Sequence, residues 1–140
     1  RFPPCSPVRS GEILLLTQAV THALCEYLSD KGIRSHIKWP NDIWVGDRKI
    51  CGILIENILE GKSVRTSIVG IGFNLNQVSF PADLPNPVSL SQLTLLRYEP
   101  RAELQLLREA LKKSVSLLET QAGRIELDRY FNQHLFRLDG

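Results

Sequence analysis

The segment Lys38-Trp39-Pro40-Asn41-Asp42-Ile43 is followed across one tight turn by Arg48-Lys49-Ile50-Cys51-Gly52-Ile53-Leu54-Ile55-Glu56. Cations, an amide, a carboxylate and a strand glycine stand close together there among otherwise apolar residues. Such a set suits a small acid and a nucleoside triphosphate. In a strand over 35–39, alternation puts His36 and Lys38 on one side and Ile37 and Trp39 on the other. Pro40, which has no N–H for a ladder, ends that strand and leaves Asn41 and Asp42 at the rim. Their oxygens can hold Mg²⁺-phosphate or ribose groups, because hard cations take oxygen ligands. The competing reading is an Asx turn, in which both side chains cap their own backbone.

Lys49 opens a strand whose alternate residues are Ile50, Gly52, Leu54 and Glu56. A glycine inside a strand loses side-chain packing, and the usual reason is close approach by a ligand or another backbone. Lys49, three residues earlier, can reach an anion lying along that strand; the alternative is a solvated hairpin lysine. Gly70-Ile71-Gly72-Phe73-Asn74-Leu75-Asn76 closes the next strand and departs from the G-x-G-x-x-G dinucleotide pattern. It can bring a flat ligand onto the backbone while Asn74 meets the edge of a purine, or it can be a β-bulge with a turn amide. His22, His36 and His134 are isolated and read as structural. Cys51, within an apolar strand, reads as a small core side chain.

The elements that must position these residues form an α+β pattern. Residues 1–11 read as an irregular lead-in with Ser10 as N-cap. A helix follows over 12–30, where Ile13, Leu16, Val20, Leu24 and Tyr27 line one face to cover a sheet and Gly32 ends it. Strands are expected over 35–39, 43–45, 48–59 and 64–71, with turns at Gly46-Asp47 and Glu60-Gly61-Lys62. Residues 76–87 carry three prolines and read as a loop, with a helical turn near 89–93. The clearest helix spans 101–119 on a stripe of Leu104, Leu107, Leu111, Val115 and Leu118. Gly123 is expected to break it before a last helix over 125–135 that carries Leu127, Tyr130 and Phe131.

Composition narrows the function classes. With 140 residues, 43% apolar, the chain suits one domain with a core of its own. A net charge of +2 with dispersed Lys and Arg argues against a nucleic-acid partner. The longest apolar run, 13–16, is far short of the ~20 residues a bilayer needs. Cys5, Cys25 and Cys51 show neither disulfide nor zinc spacing, which points to a reducing cytoplasm. The chain starts on Arg and has no Met, as a piece of a longer gene product would.

Together, KWPNDI, a hairpin, RKICGILIE and a strand ending GIGFNLN resemble biotin–protein ligases, and the resemblance covers nearly the whole chain. It implies a class II aminoacyl-tRNA synthetase-like catalytic domain, a mixed or antiparallel β-sheet covered by helices, of which residues 1–140 are the C-terminal part. It implies activation of biotin with ATP and Mg²⁺ as biotinyl-5′-AMP, then transfer to one lysine of a biotin carboxyl carrier protein. By the same resemblance, Lys49 is the catalytic cation on the biotin carboxylate and α-phosphate. Gly52, Ile53, Leu54, Gly70 and Gly72 form the biotin wall and floor. Lys38, Trp39, Asn41, Asp42 and Asn74 face ATP, and Asp42 meets Mg²⁺ through the phosphates. The family's GRGRxGR segment, an N-terminal DNA-binding module and a C-terminal SH3-like domain are not in these residues, so the isolated chain is expected to show little or no adenylation. Two alternatives stand: a lipoate or octanoate ligase or transferase of the same fold, and a non-catalytic assembly or regulatory fragment. A homodimer formed by sheet-edge pairing is a further expectation.

Overall fold

The computed structural model describes residues 10–61, 63–84 and 86–136. The lead-in over 1–9, with Cys5, and the turn residue Lys62 lie outside the described residues, as does the side chain of Ser10. The elements run α1 (Ser10–Asp30), β1 (His36–Lys38), β2 (Asp42–Val45), β3 (Arg48–Glu60), β4 (Ser63–Phe73), α2 (Leu90–Thr94), α3 (Pro100–Ser116), a 3₁₀ turn (Leu117–Glu119) and α4 (Gln121–His134). The four strands form one antiparallel sheet in the order β1-β2-β3-β4. The fold is thus α+β, as the sequence pattern predicts. Among the described residues no helix is long and apolar enough to cross a membrane.

Helix α1 does more than cover the sheet. Leu24, Leu28 and Val20 pack with Ile37, Ile43, Ile50, Cys51 and Ile53 of the inner sheet face to make the core. Its other side is buried too, beneath α3 and α4, so the layers run sheet, α1, then the outer helices. Polar residues on that side find partners, although Gln18 Oε1 has none: Gln18 Nε2 donates to Asp128 Oδ1 at 2.8 Å and Thr21 Oγ1 to the Thr17 carbonyl at 2.8 Å. Buried polar groups need such partners, which is why the helix tolerates them. Gly32, at φ +81°, closes α1, and Ile33 N donates back to the Leu28 carbonyl at 2.9 Å. That is the left-handed C-terminal stop in which glycine pays no Cβ penalty.

Two expectations are corrected. Gly123 does not break a helix; it lies in the first turn of α4, and the break falls at Thr120, whose extended backbone and side chain cap α4 through Gly123 N at 3.0 Å. Glycine is required there because a methyl would overlap the Leu117 carbonyl. The stripe on α3 is only partly covered: Leu107 and Leu111 pack against the core, whereas Leu104 is 66% exposed. Periodicity marks an apolar face but does not say whether anything lies over it.

Candidate functional site

The sheet's outer face is where the chemistry collects. Lys38 pairs with Asp42, Asp42 with Gly52, and Gly52 with Gly72, so these four positions cross the sheet in one row on one face. The neighbouring row pairs Leu54 with Gly70. Three glycines therefore pave adjoining positions on β3 and β4 and leave a flat trough with no side chains. Lys49 stands at its head, 3.2 Å from Asp42 Oδ1, with both side chains about one-third exposed (33% and 38%). A cavity of about 220 Å³ lies here, lined by Lys49, Gly52, Gly72, Asn74, Leu84 and Pro87.

The backbone around Lys49 is fixed from two directions. Asn86 O accepts from Lys49 N at 2.9 Å, and Lys49 O accepts from Val88 N at 2.8 Å, so the 86–88 segment runs along the start of β3. Asn41 O accepts from Ile53 N at 2.8 Å, which ties the Trp39-Pro40-Asn41 turn, with its cis Trp39–Pro40 peptide, to β3. Among the described residues neither Asn41 nor Asp42 hydrogen-bonds its own turn through its side chain, so the Asx-turn reading does not apply. Lys49 is not a solvated hairpin lysine either, since Asp42 holds it.

The glycines are the decisive feature. None of Gly52, Gly70 and Gly72 has a positive φ. The pairing between β3 and β4 is regular at Gly70 and Gly72, with its shift at Ile58/Leu59, so no bulge demands them. A methyl on Gly72 would meet only the Gly52 carbonyl at 3.9 Å, and one on Gly70 the Leu54 carbonyl at 3.7 Å; at Gly52 the nearest atoms are the tip of Lys49 at 3.5 Å. These are ordinary contacts. Neither backbone conformation nor packing within the chain requires glycine at these positions, which leaves the surface open to close approach by a ligand or another backbone.

The other candidates sit as follows. Leu54 is 59% exposed beside Gly70, where an apolar ligand body can rest. Ile53 faces the opposite way into the core, 6% exposed, so its side chain cannot wall the trough and only its backbone borders it. Asn74 lines the cavity, but its Nδ2 already donates to the Val88 carbonyl at 3.1 Å. Trp39 is exposed and sets its ring edge-on to Phe131 at 5.9 Å. Lys38 rests against aromatic rings, Trp44 at 3.6 Å and Phe136 at 5.0 Å from the ammonium. Trp44, Phe136 and the 86–88 segment were not legible as site residues; Phe136 and that segment reach the sheet only through the tertiary fold.

Nucleophilic alternatives fail on electrostatics. Burial pushes the Cys51 thiol up to about 12 and that of Cys25 up to about 11, leaving both protonated and unreactive near neutrality. His22 is satisfied by Ser114 Oγ at 2.7 Å, and burial lowers its pKa. His36 is lowered as well, first by burial and then by the Lys38 charge. No cluster of three or more His, Cys, Asp or Glu residues among the described residues could hold a metal ion by itself. A larger cavity, about 520 Å³, lies on the helix side between β4 and α3. Its wall carries Glu103, which binds Tyr27 and Lys31, each at 2.6 Å. Most of the remaining wall is apolar, with Arg108 at its edge.

Residues 6–74 match the model of the Biotin/lipoate A/B protein ligase family. That segment is just under half of the chain. It holds the whole glycine trough, Lys49 and Asp42. The chain is 50% identical over 64 residues to the bifunctional ligase/repressor BirA of Bacillus spizizenii, covering 44% of this chain and 20% of that protein. It is 36% identical over 92 residues to the biotin–[acetyl-CoA-carboxylase] ligase of Paracoccus denitrificans, covering 62% and 38%. The chain thus spans well under half the length of either. The fold is that of the biotin protein ligase from Aquifex aeolicus, with a TM-score of 0.77 at 22% identity over 92% of this chain and 57% of that one. A ligase from Leishmania major in complex with biotinyl-5-AMP aligns with a TM-score of 0.61 at 23% identity, covering 98% and 62%.

Proposed function

We propose that this chain carries the acid-and-nucleotide face of a biotin–protein ligase, as the C-terminal part of its catalytic domain. In this reading a biotin carboxylate oxygen attacks the α-phosphorus of ATP, the bond to the bridging oxygen breaks, and pyrophosphate leaves. An unprotonated lysine amine of a biotin carboxyl carrier protein then attacks the acyl carbon, and AMP leaves. The observation that carries the proposal is the side-chain-free sheet surface at Gly52, Gly70 and Gly72, with Lys49 beside the cavity that Gly52 and Gly72 line. Ligases of this fold that are described in complex with biotin and ATP, or with biotinyl-5-AMP, support it.

Each group has a stated task. In this reading Lys49 lies between the carboxylate and the triphosphate, and its charge offsets the negative charge that grows at the α-phosphorus. Asp42 holds Lys49 in place before substrates arrive. Leu54 and the glycine floor take the apolar body of biotin, with the backbone of Ile53 beside them. Lys38, Trp39, Asn41 and Asn74 are assigned to the nucleotide side, where the side-chain Oδ1 of Asn74 is the atom left to accept from adenine. Asp42 and Asn41 offer the hard oxygens a phosphate-bound Mg²⁺ takes, and the ion would add charge neutralisation there. The buried free thiols Cys25 and Cys51 suit a reducing cytoplasm. The outer edge of β3 beyond Gly52, where β2 has ended, is the edge at which two copies would pair.

Lys49→Ala in the full-length protein tests the reading. Biotin-dependent pyrophosphate release falls by about a hundredfold or more, the scale of losing one preorganised charge-stabilising group. Retention of activity within a few-fold refutes the role and favours an assembly function. Calorimetry with biotin, lipoate and octanoate separates the acid classes, and tight lipoate binding without biotin binding contradicts the proposal.

A further inference from the structure

Lys38 is held in an unusual way for a cation at the rim of an anion site. Its ammonium lies 3.6 Å from the Trp44 ring centroid and 5.0 Å from that of Phe136. The Asp42 carboxylate opposite it in the sheet is paired with Lys49, and Lys38 makes no ion pair among the described residues. Lys38 and Lys49 against Asp42 therefore leave the row with one uncompensated positive charge, carried by Lys38.

Phe136 reaches this place by a specific route. Beyond α4, Leu135 bridges Ile37 in parallel fashion and Phe136 N donates to the Ile37 carbonyl at 2.7 Å, so the segment lies along the outer edge of β1. Its ring also stacks on His36, with centroids 5.2 Å apart and planes at 29°. Trp44, opposite His36 on β2, supplies the other ring face. A cation over a ring face is attracted by the ring quadrupole without being neutralised, so its charge stays available to an anion. A carboxylate partner would instead have to be displaced.

We infer that Trp44 and Phe136 are positioning residues that form an aromatic clamp on Lys38, holding its free charge ready for the phosphate chain of a nucleoside triphosphate. The inference rests on the reading that this face takes a nucleotide, and it adds to that reading a residue from the far end of the chain. The clamp fixes the lysine stem, so less side-chain freedom is lost when the anion binds. The neutral His36 ring beneath Phe136 adds no competing charge at neutral pH, since its pKa is held down.

The test uses the full-length protein with Phe136→Leu, Phe136→Tyr and Trp44→Leu, read in two ways. Without ligand, the Lys38 ε-CH₂ proton resonance is shifted upfield by the ring currents in wild type and in Phe136→Tyr, and moves toward its free position in Trp44→Leu and, less far, in Phe136→Leu. In calorimetry, ATP affinity falls roughly three- to tenfold in Phe136→Leu and returns in Phe136→Tyr, while biotin affinity is unchanged. Combining Phe136→Leu with Lys38→Met gives no loss beyond that of Lys38→Met alone. A Lys38 resonance that none of the variants moves overturns the clamp, as does an ATP affinity equal in Phe136→Leu and wild type. Failure of wild type to bind ATP with the upfield shift intact marks the functional reading as the part that fell, and removes the clamp's purpose with it. If Phe136→Leu does not fold, Trp44→Leu and Lys38→Met decide the same points.

Discussion

Gly72→Ala should move stability and ligand binding in opposite directions. The added methyl meets only the Gly52 carbonyl, at 3.9 Å, and the position needs no positive φ, so no strain opposes it. Replacing a strand glycine with alanine then stabilises by about 0.5 kcal/mol, through the lower conformational entropy of the unfolded chain. For a domain of this size that raises the thermal midpoint by about 2 °C. A ligand lying flat on the strand meets the same methyl as an overpacked contact, which costs about 1–3 kcal/mol. Biotin affinity falls roughly five- to hundredfold as a result. Scanning calorimetry and isothermal titration on one preparation of the full-length protein read both quantities. Gly61→Ala is the contrasting control: its φ of +65° makes alanine strained while biotin affinity stays put. If Gly72→Ala lowers stability and leaves affinity unchanged, the glycine serves the fold and the reasoning fails.

Other outcomes follow from the same geometry. Gly123→Ala, ordinarily favourable inside a helix, destabilises by about 1–3 kcal/mol because the methyl runs into the Leu117 carbonyl; chemical denaturation reads it, and a gain in stability contradicts the packing described. His22 and His36 both have folded-state pKa values held below 6.5, chiefly by burial. The unfolded chain therefore takes up protons first, so their contribution is full above about pH 6.5 and is lost as pH falls through the lowered values. The thermal midpoint drops between pH 7.5 and 5.5, and His22→Gln with His36→Gln flattens that slope; an unchanged slope refutes the assignment.

Much of this fold was legible locally. The 3.6-residue period located α1, α3 and α4, and Gly46 and Gly61, both at positive φ, marked the two hairpin turns. Strand alternation placed Lys38 opposite Ile37, and the structure puts them on opposite sheet faces. What sequence could not supply were contacts between distant segments. Gln18 is buried on α1 because Asp128 waits on α4, and no local pattern announces that pair. The loop that pins Lys49 and the segment that brings Phe136 to Lys38 are equally non-local. Gly123 misled because low helix propensity marks a breaker in mid-helix, whereas a first-turn glycine can answer a steric need instead. Ile53 was placed with Gly52 and Leu54 as a wall, yet alternation along β3 turns its side chain into the core.

The most direct measurement is an amide chemical-shift titration of the full-length protein with biotin. The account predicts large shifts at Lys49, Gly52, Gly70 and Gly72, and little change at Leu107 and Leu111 beside the cavity behind the sheet. Shifts centred on Leu107 and Leu111, with the three glycines unmoved, would contradict it.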